Sequence, residues 1–111
     1  MGNRPIEYFV FQDAITTPSQ GKEYMVSSVA ETMRIVIKGT ATVFTINFQG
    51  SIQGEWRPII GAKVSNDLEL LTSTSNKDYF YEFDMSGYDR IRMDVVTVTG
   101  GDLTILGKVV A

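Results

Sequence analysis

The chain has 111 residues, 43% hydrophobic, 11% aromatic and 21% charged, with a formal net charge of −3. These values describe one ordered globular domain and exclude intrinsic disorder. The sequence contains no cysteine and no histidine, which excludes disulfide scaffolding and thiolate metal sites and removes the commonest general base. Singly scattered charges of both signs disfavour nucleic acid as a partner, since phosphate recognition needs a basic face.

Taken in order, residues 1–5 read as a loose tail and residues 6–111 as a single domain. Glu7–Phe11 is rich in β-formers and predicts a first strand. Thr16–Gly21 is a turn cluster, and Lys22–Ser27 a short second strand. Val29–Thr32 has room for a helical turn. In Thr32–Lys38, Met33, Ile35 and Ile37 alternate with Arg34, Val36 and Lys38. In Ala41–Gln49, Phe44, Ile46 and Phe48 alternate with Thr45, Asn47 and Gln49. Period-two alternation marks strands with one buried face, and Gly39-Thr40 between the two predicts a hairpin.

A glycine-bracketed loop, Gly50–Gly54, follows, then the only tryptophan, Trp56. Glu55–Ile60 predicts an edge strand because of Pro58. Lys63–Leu70 has no clear period, and Thr72–Asn76 is turn-like. Asp78–Asp84 is an aromatic strand with Tyr79, Tyr81 and Phe83 on one face and Phe80, Glu82 and Asp84 on the other. Asp89–Val98 sets Ile91, Met93 and Val95 against Arg90, Arg92 and Asp94. Gly100-Gly101 predicts a closing hairpin into Leu103–Val109. Eight or nine short strands predict an all-β fold, a single antiparallel β-sandwich wired as a jelly roll or Greek key.

No catalytic constellation stands out, and the expectation is a non-enzymatic protein without cofactor or metal. Asp78, Glu82, Asp84 and Asp89 read as solvated strand ends; Asp67, Asn76 and Asp78 offer calcium-type oxygens without a calcium-loop spacing. Trp56, with Tyr79 and Tyr81, is a candidate platform for stacking a sugar ring. The simpler reading has Trp56 capping the core from its strand. Tyr8, Phe9, Val10 and Phe11 carry apolar groups on both faces of a terminal strand. With Phe80, Arg90 and Arg92 they are the candidate interface for self-association, and Lys108–Ala111 is a further terminal segment of that kind. Arg90 and Arg92 point to one side and are expected to pair across strands with Glu82 and Asp84.

Three pieces, GSIQGEW (Gly50–Trp56), YEFDMSGYDRIRMDV (Tyr81–Val95) and VTGGDLTILG (Val98–Gly107), resemble small β-sandwich accessory proteins of tailed-phage virions and prophages. The arrangement also looks like that of carbohydrate-binding modules. The resemblance implies a head-decoration, head-fibre or tail accessory subunit. Such a subunit works as a homo-oligomer, often a trimer, docked on phage capsid or tail proteins. The alternative it implies is a carbohydrate-binding module for cell-surface glycan. With no apolar signal region and no bilayer-length apolar run in the sequence, the expected place is the virion, after synthesis in the host cytoplasm, without a membrane partner.

Overall fold

Alternation decides the layers. The computed structural model describes residues 6–27 and 32–110. Among these are eleven strands: β1 Ile6–Ile15, β2 Tyr24–Met25, β3 Thr32–Lys38, β4 Val43–Ile52, β5 Glu55–Pro58, β6 Gly61–Val64, β7 Glu69–Leu71, β8 Ser73–Thr74, β9 Phe80–Asp84, β10 Arg90–Thr99 and β11 Leu103–Val110. The predicted tail, and the predicted helical turn up to Glu31, lie outside the described residues; Thr32 opens β3. The extra strands over the eight or nine expected come chiefly from the aperiodic 61–74 stretch. There β6 and β7 form a hairpin, and β8 adds two residues against β4.

All pairings are antiparallel. One sheet has the order β1-β11-β3-β9-β6-β7, and the other β2-β10-β4-β5 with β8 beside β4. Without the β6–β7 hairpin and β8, each sheet has four strands in which early and late elements alternate, the wiring of a jelly roll. Inward residues of both sheets build a single core. Met33, Ile35, Ile37, Tyr81, Phe83, Leu103 and Ile105 come from the first sheet; Phe44, Ile46, Phe48, Ile91, Met93 and Val95 come from the second. The layers meet at an aromatic seam, where Phe48 stands edge-on to Phe83 with ring centres 4.8 Å apart. Fully burying side chains of this size contributes roughly 1.5–3 kcal/mol each before the entropy cost of ordering them.

Two predicted hairpins are corrected. The strands β3 and β4 lie in different sheets, and so do β10 and β11; Gly39-Thr40 and Gly100-Gly101 are sheet crossings. The two crossings are stapled to one another. Asp102 Oδ1 accepts from Thr40 N (2.9 Å) and Thr40 Oγ1 (2.8 Å), and Ala41 N donates to Asp102 O (2.9 Å). Gly39, Gly100 and Gly101 have φ of 126°, 78° and 146°, backbone conformations that residues with a Cβ rarely adopt. A glycine turn between alternating runs looks the same in sequence whether the chain folds back within a sheet or across to another.

The Gly50–Gly54 loop is shorter than predicted. β4 continues through Ile52, and the hairpin to β5 turns on Gln53 and Gly54 alone, with φ of 51° and 83°, as a primed two-residue turn requires. In β1 the register shifts between Val10 and Gln12, so Phe11 and Gln12 both become buried. Gln12 Nε2 donates to Ser19 O (2.8 Å) and Met93 O (3.0 Å), tying one sheet's edge strand to the heart of the other.

Candidate functional site

Each sheet turns one face outward, and the two faces differ. On the six-stranded sheet, Val10, Leu106 and Val36 sit side by side across β1, β11 and β3. Tyr8 and Phe80 are 76% and 50% exposed. They flank an apolar hollow floored by Val36, Leu106 and Gly107. Arg34 pairs with Glu82 on this same face, leaving a charged rib beside an apolar row.

The interface set proposed from sequence is therefore split. Tyr8, Val10 and Phe80 share this face. Phe11 is a correction: it is 1% exposed and belongs to the core, carried inward by the register shift. Phe9 is half-buried, with its ring 4.8 Å from Phe11 and 5.2 Å from Tyr24. Arg90 and Arg92 lie on the opposite sheet. They do point to one side, but their expected partners do not hold: Arg90 pairs with Glu23 (3.0 Å), and Glu82 is taken by Arg34.

The outer face of the five-stranded sheet is mostly polar, with one large ring and the exposed apolar side chains of Met25 and Val43. Trp56 pairs in register with Ser51, Arg92 with Gln49, and Arg90 with Ser51, which places these side chains on the same outward side. Trp56 is thus not a cap on the core, because its partner in register belongs to the outward set of β4. The Arg92 guanidinium lies over the indole at 3.9 Å. Its Nε donates to Gln49 Oε1 (2.7 Å) and its Nη1 to Gln20 Oε1 (3.4 Å). Beside the ring is an open hollow of about 510 Å³ lined by Glu23, Ser51, Gly54, Trp56, Asp89 and Arg90, among others. Asp89 Oδ2 accepts from Gln53 N (2.7 Å), linking the hollow to the β4–β5 turn.

The three-residue sugar platform is not assembled. Tyr81 has no exposed surface. Its hydroxyl is bonded to Thr74 Oγ1 (2.6 Å) and donates to Asn76 O (2.9 Å), and burial pushes its pKa up. Tyr79 is half-buried with the Lys63 ammonium 4.6 Å from its ring centre. Tyr81 lies on β9, in the sheet opposite Trp56, and Tyr79 in the bend just before that strand. The carboxylate of Asp84 serves a turn, accepting from Ser86 N, and the Asn76 amide oxygen accepts from the backbone N–H of Asp78. Among the described residues no group of three or more His, Cys, Asp or Glu gathers as a metal site would require. Glu23, Gln20, Gln49 and Ser51 were not singled out from sequence; only the β4–β10 register places Gln49 beside Arg92 and Ser51 beside Arg90.

The fold is that of a small antiparallel jelly-roll domain with two unlike outer faces. Residues 6–109 match the XepA family, and the chain belongs to that family. It is 32% identical over 103 residues to the SPβ prophage-derived protein YomS of Bacillus subtilis strain 168, covering 93% of this chain and 86% of YomS. It is 32% identical over 104 residues to the phage-like element PBSX protein XepA of the same organism, covering 93% of this chain and 37% of XepA. The crystal structure of YomS superposes with a TM-score of 0.92 at 31% identity, covering 100% of this chain and 97% of that one. The crystal structure of XepA, there described as a PBSX exported protein, gives 0.93 at 30% identity over 100% of this chain and 39% of that one. This chain is thus similar to phage-derived proteins and matches well under half of XepA. No helix of the described residues is long and apolar enough to cross a membrane.

Proposed function

We propose that this protein is a non-catalytic accessory module of a phage or prophage particle, self-associating through the outer face of its six-stranded sheet and docking on a capsid or tail scaffold. The observation that carries the reading is the apolar row of Tyr8, Val10, Leu106, Val36 and Phe80, which runs across neighbouring strands of one sheet face and lines an apolar hollow. Soluble monomers rarely leave contiguous apolar patches beyond a few hundred Å², and aromatic anchors are enriched at interfaces. The phage origin of YomS and XepA supports the particle setting. In almost all of its length YomS is this one domain, so a second copy is the natural cover for such a face. In this reading the protein leaves the host cell with the particle; XepA's description as exported is in keeping with release.

Sedimentation velocity and light scattering across a wide concentration range test this. The expected result is a defined homo-oligomer that Phe80→Glu and Tyr8→Glu each weaken by about thirtyfold, the effect of losing an anchor worth about 2 kcal/mol. A wild-type protein that stays monomeric, or an oligomer unmoved by both substitutions, overturns it.

A further inference from the structure

The core is complete without Trp56. Twenty buried apolar residues form it, and Trp56 is not among them. The tryptophan instead stands on the outer face of β5, an edge strand, partly buried with the rest of the ring open to solvent. Beneath it Arg92 is only 9% exposed and has no carboxylate within ion-pair distance among the described residues. Removing a guanidinium from water without a counter-charge is costly; here two amide oxygens and the indole face take its place. The consequence is a ring held in one orientation against the sheet by cation–π attraction, so little freedom is left to lose when a ligand settles on it.

The hollow beside the ring carries hydrogen-bonding groups with unused capacity. Glu23 uses Oε1 for Arg90, and Asp89 uses Oδ2 for Gln53 N. Glu23 Oε2, Asp89 Oδ1 and the other guanidinium hydrogens of Arg90 make no hydrogen bond to the described residues. These groups come from the flank of β2 and the start of β10, and the lining is completed by Ser51 of β4, Gly54 of the β4–β5 turn and Trp56 of β5. The rim faces open space at Gly54, where a Cβ would meet nothing within 4 Å. Two carboxylates and one guanidinium leave the lining net negative by one charge, which argues against an anion. The fitting ligand presents hydroxyls that both donate and accept, and an apolar C–H face for an indole.

We propose that this hollow binds a neutral saccharide, with a pyranose ring stacked on Trp56 and its hydroxyls shared among Glu23, Asp89 and Arg90. Arg92 acts as a positioning residue for the indole. The site lies on the face opposite the proposed self-association surface, so each can fail without the other.

Trp56 is the only tryptophan in the chain, so its fluorescence reports on this site alone. The intact protein is titrated with hexasaccharides of β-linked glucose, α-linked glucose and N-acetylglucosamine, with polygalacturonate as the anionic comparison. The expected result is a saturable emission change with at least one neutral oligosaccharide that persists in high salt. By calorimetry, Trp56→Ala weakens that binding by about tenfold or more, and Glu23→Gln weakens it several-fold. Sedimentation of both variants stays as in the wild type. If circular dichroism shows Trp56→Ala unfolded, Glu23→Gln and Arg90→Met carry the test. The proposal is overturned by no saturable change with any neutral oligosaccharide, by binding that survives these substitutions, or by binding to polygalacturonate alone that salt abolishes.

Discussion

Gly61 shows how closely single residues are fitted. A Cβ at this position would lie 2.6 Å from Phe83 Cε1 and 3.0 Å from Phe48 Cε2. Both rings are buried in the seam between sheets and have no free direction in which to yield. Gly61→Ala is therefore expected to destabilise the fold by about 1–3 kcal/mol through overpacking, read as a lowered urea midpoint with unchanged slope. An unchanged midpoint would mean that the seam has slack. The same sensitivity to neighbours explains why Tyr81 and Trp56, both aromatic and both on strands, came to opposite places. Tyr81 alternates in phase with Phe83 and has Thr74 and Asn76 to satisfy its hydroxyl. Trp56 sits opposite Ser51, in the outward phase of β4. The residue type alone favours neither outcome; the phase of the strand partner decides it.

At the scale of elements, the strands with clean alternation were legible. Thr32–Lys38 is β3 as predicted, and the inward sets of β4 and β10 are those read from the sequence. Strand partners were not legible. The crossings at Gly39–Thr42 and Thr99–Asp102 were read as hairpins because glycine turns report local curvature only. Their real nature rests on a long-range contact, the Thr40–Asp102 staple. Backbone and side-chain hydrogen bonds from Thr40 hold the Asp102 carboxyl below its ordinary value of 3.8, and the Ser86 amide does the same for Asp84. A carboxylate whose pKa falls on folding adds stability above its unfolded value and loses it as pH falls through the folded one. The expected outcome is that Asp102→Asn is less stable than wild type at neutral pH, and that the gap closes below pH 3.8. Urea midpoints measured from neutral to acid check this; a gap constant down to the most acidic point would sink the staple as a stabilising contact.

For the whole molecule, the contrast is between the two outer faces. The six-stranded sheet presents an apolar row, the five-stranded sheet a polar hollow with a fixed ring. If the first face drives assembly, burial of apolar surface is the driving force, and screening of charge has little to act on. Self-association is then expected to hold or strengthen as sodium chloride rises to about 1 M, where the Debye length is about 3 Å. Dissociation with salt, followed by sedimentation, would instead assign it to charge pairs such as Arg34–Glu82. The phage or prophage origin that the sequence resemblance implies agrees with the phage-derived relatives.

By itself the sequence determined the class of fold, the inward faces of the main strands, the outward position of Phe80 and the edge position of Pro58. These depend on alternation and on backbone chemistry, both of which are local. Only the tertiary structure decided which strands are neighbours, that Phe11 turns inward, and that Arg92 lies beneath Trp56 with Glu23 and Asp89 close by. Those facts depend on register between strands as far apart in the chain as β4 and β10, where a shift of one residue would exchange every inward and outward side chain.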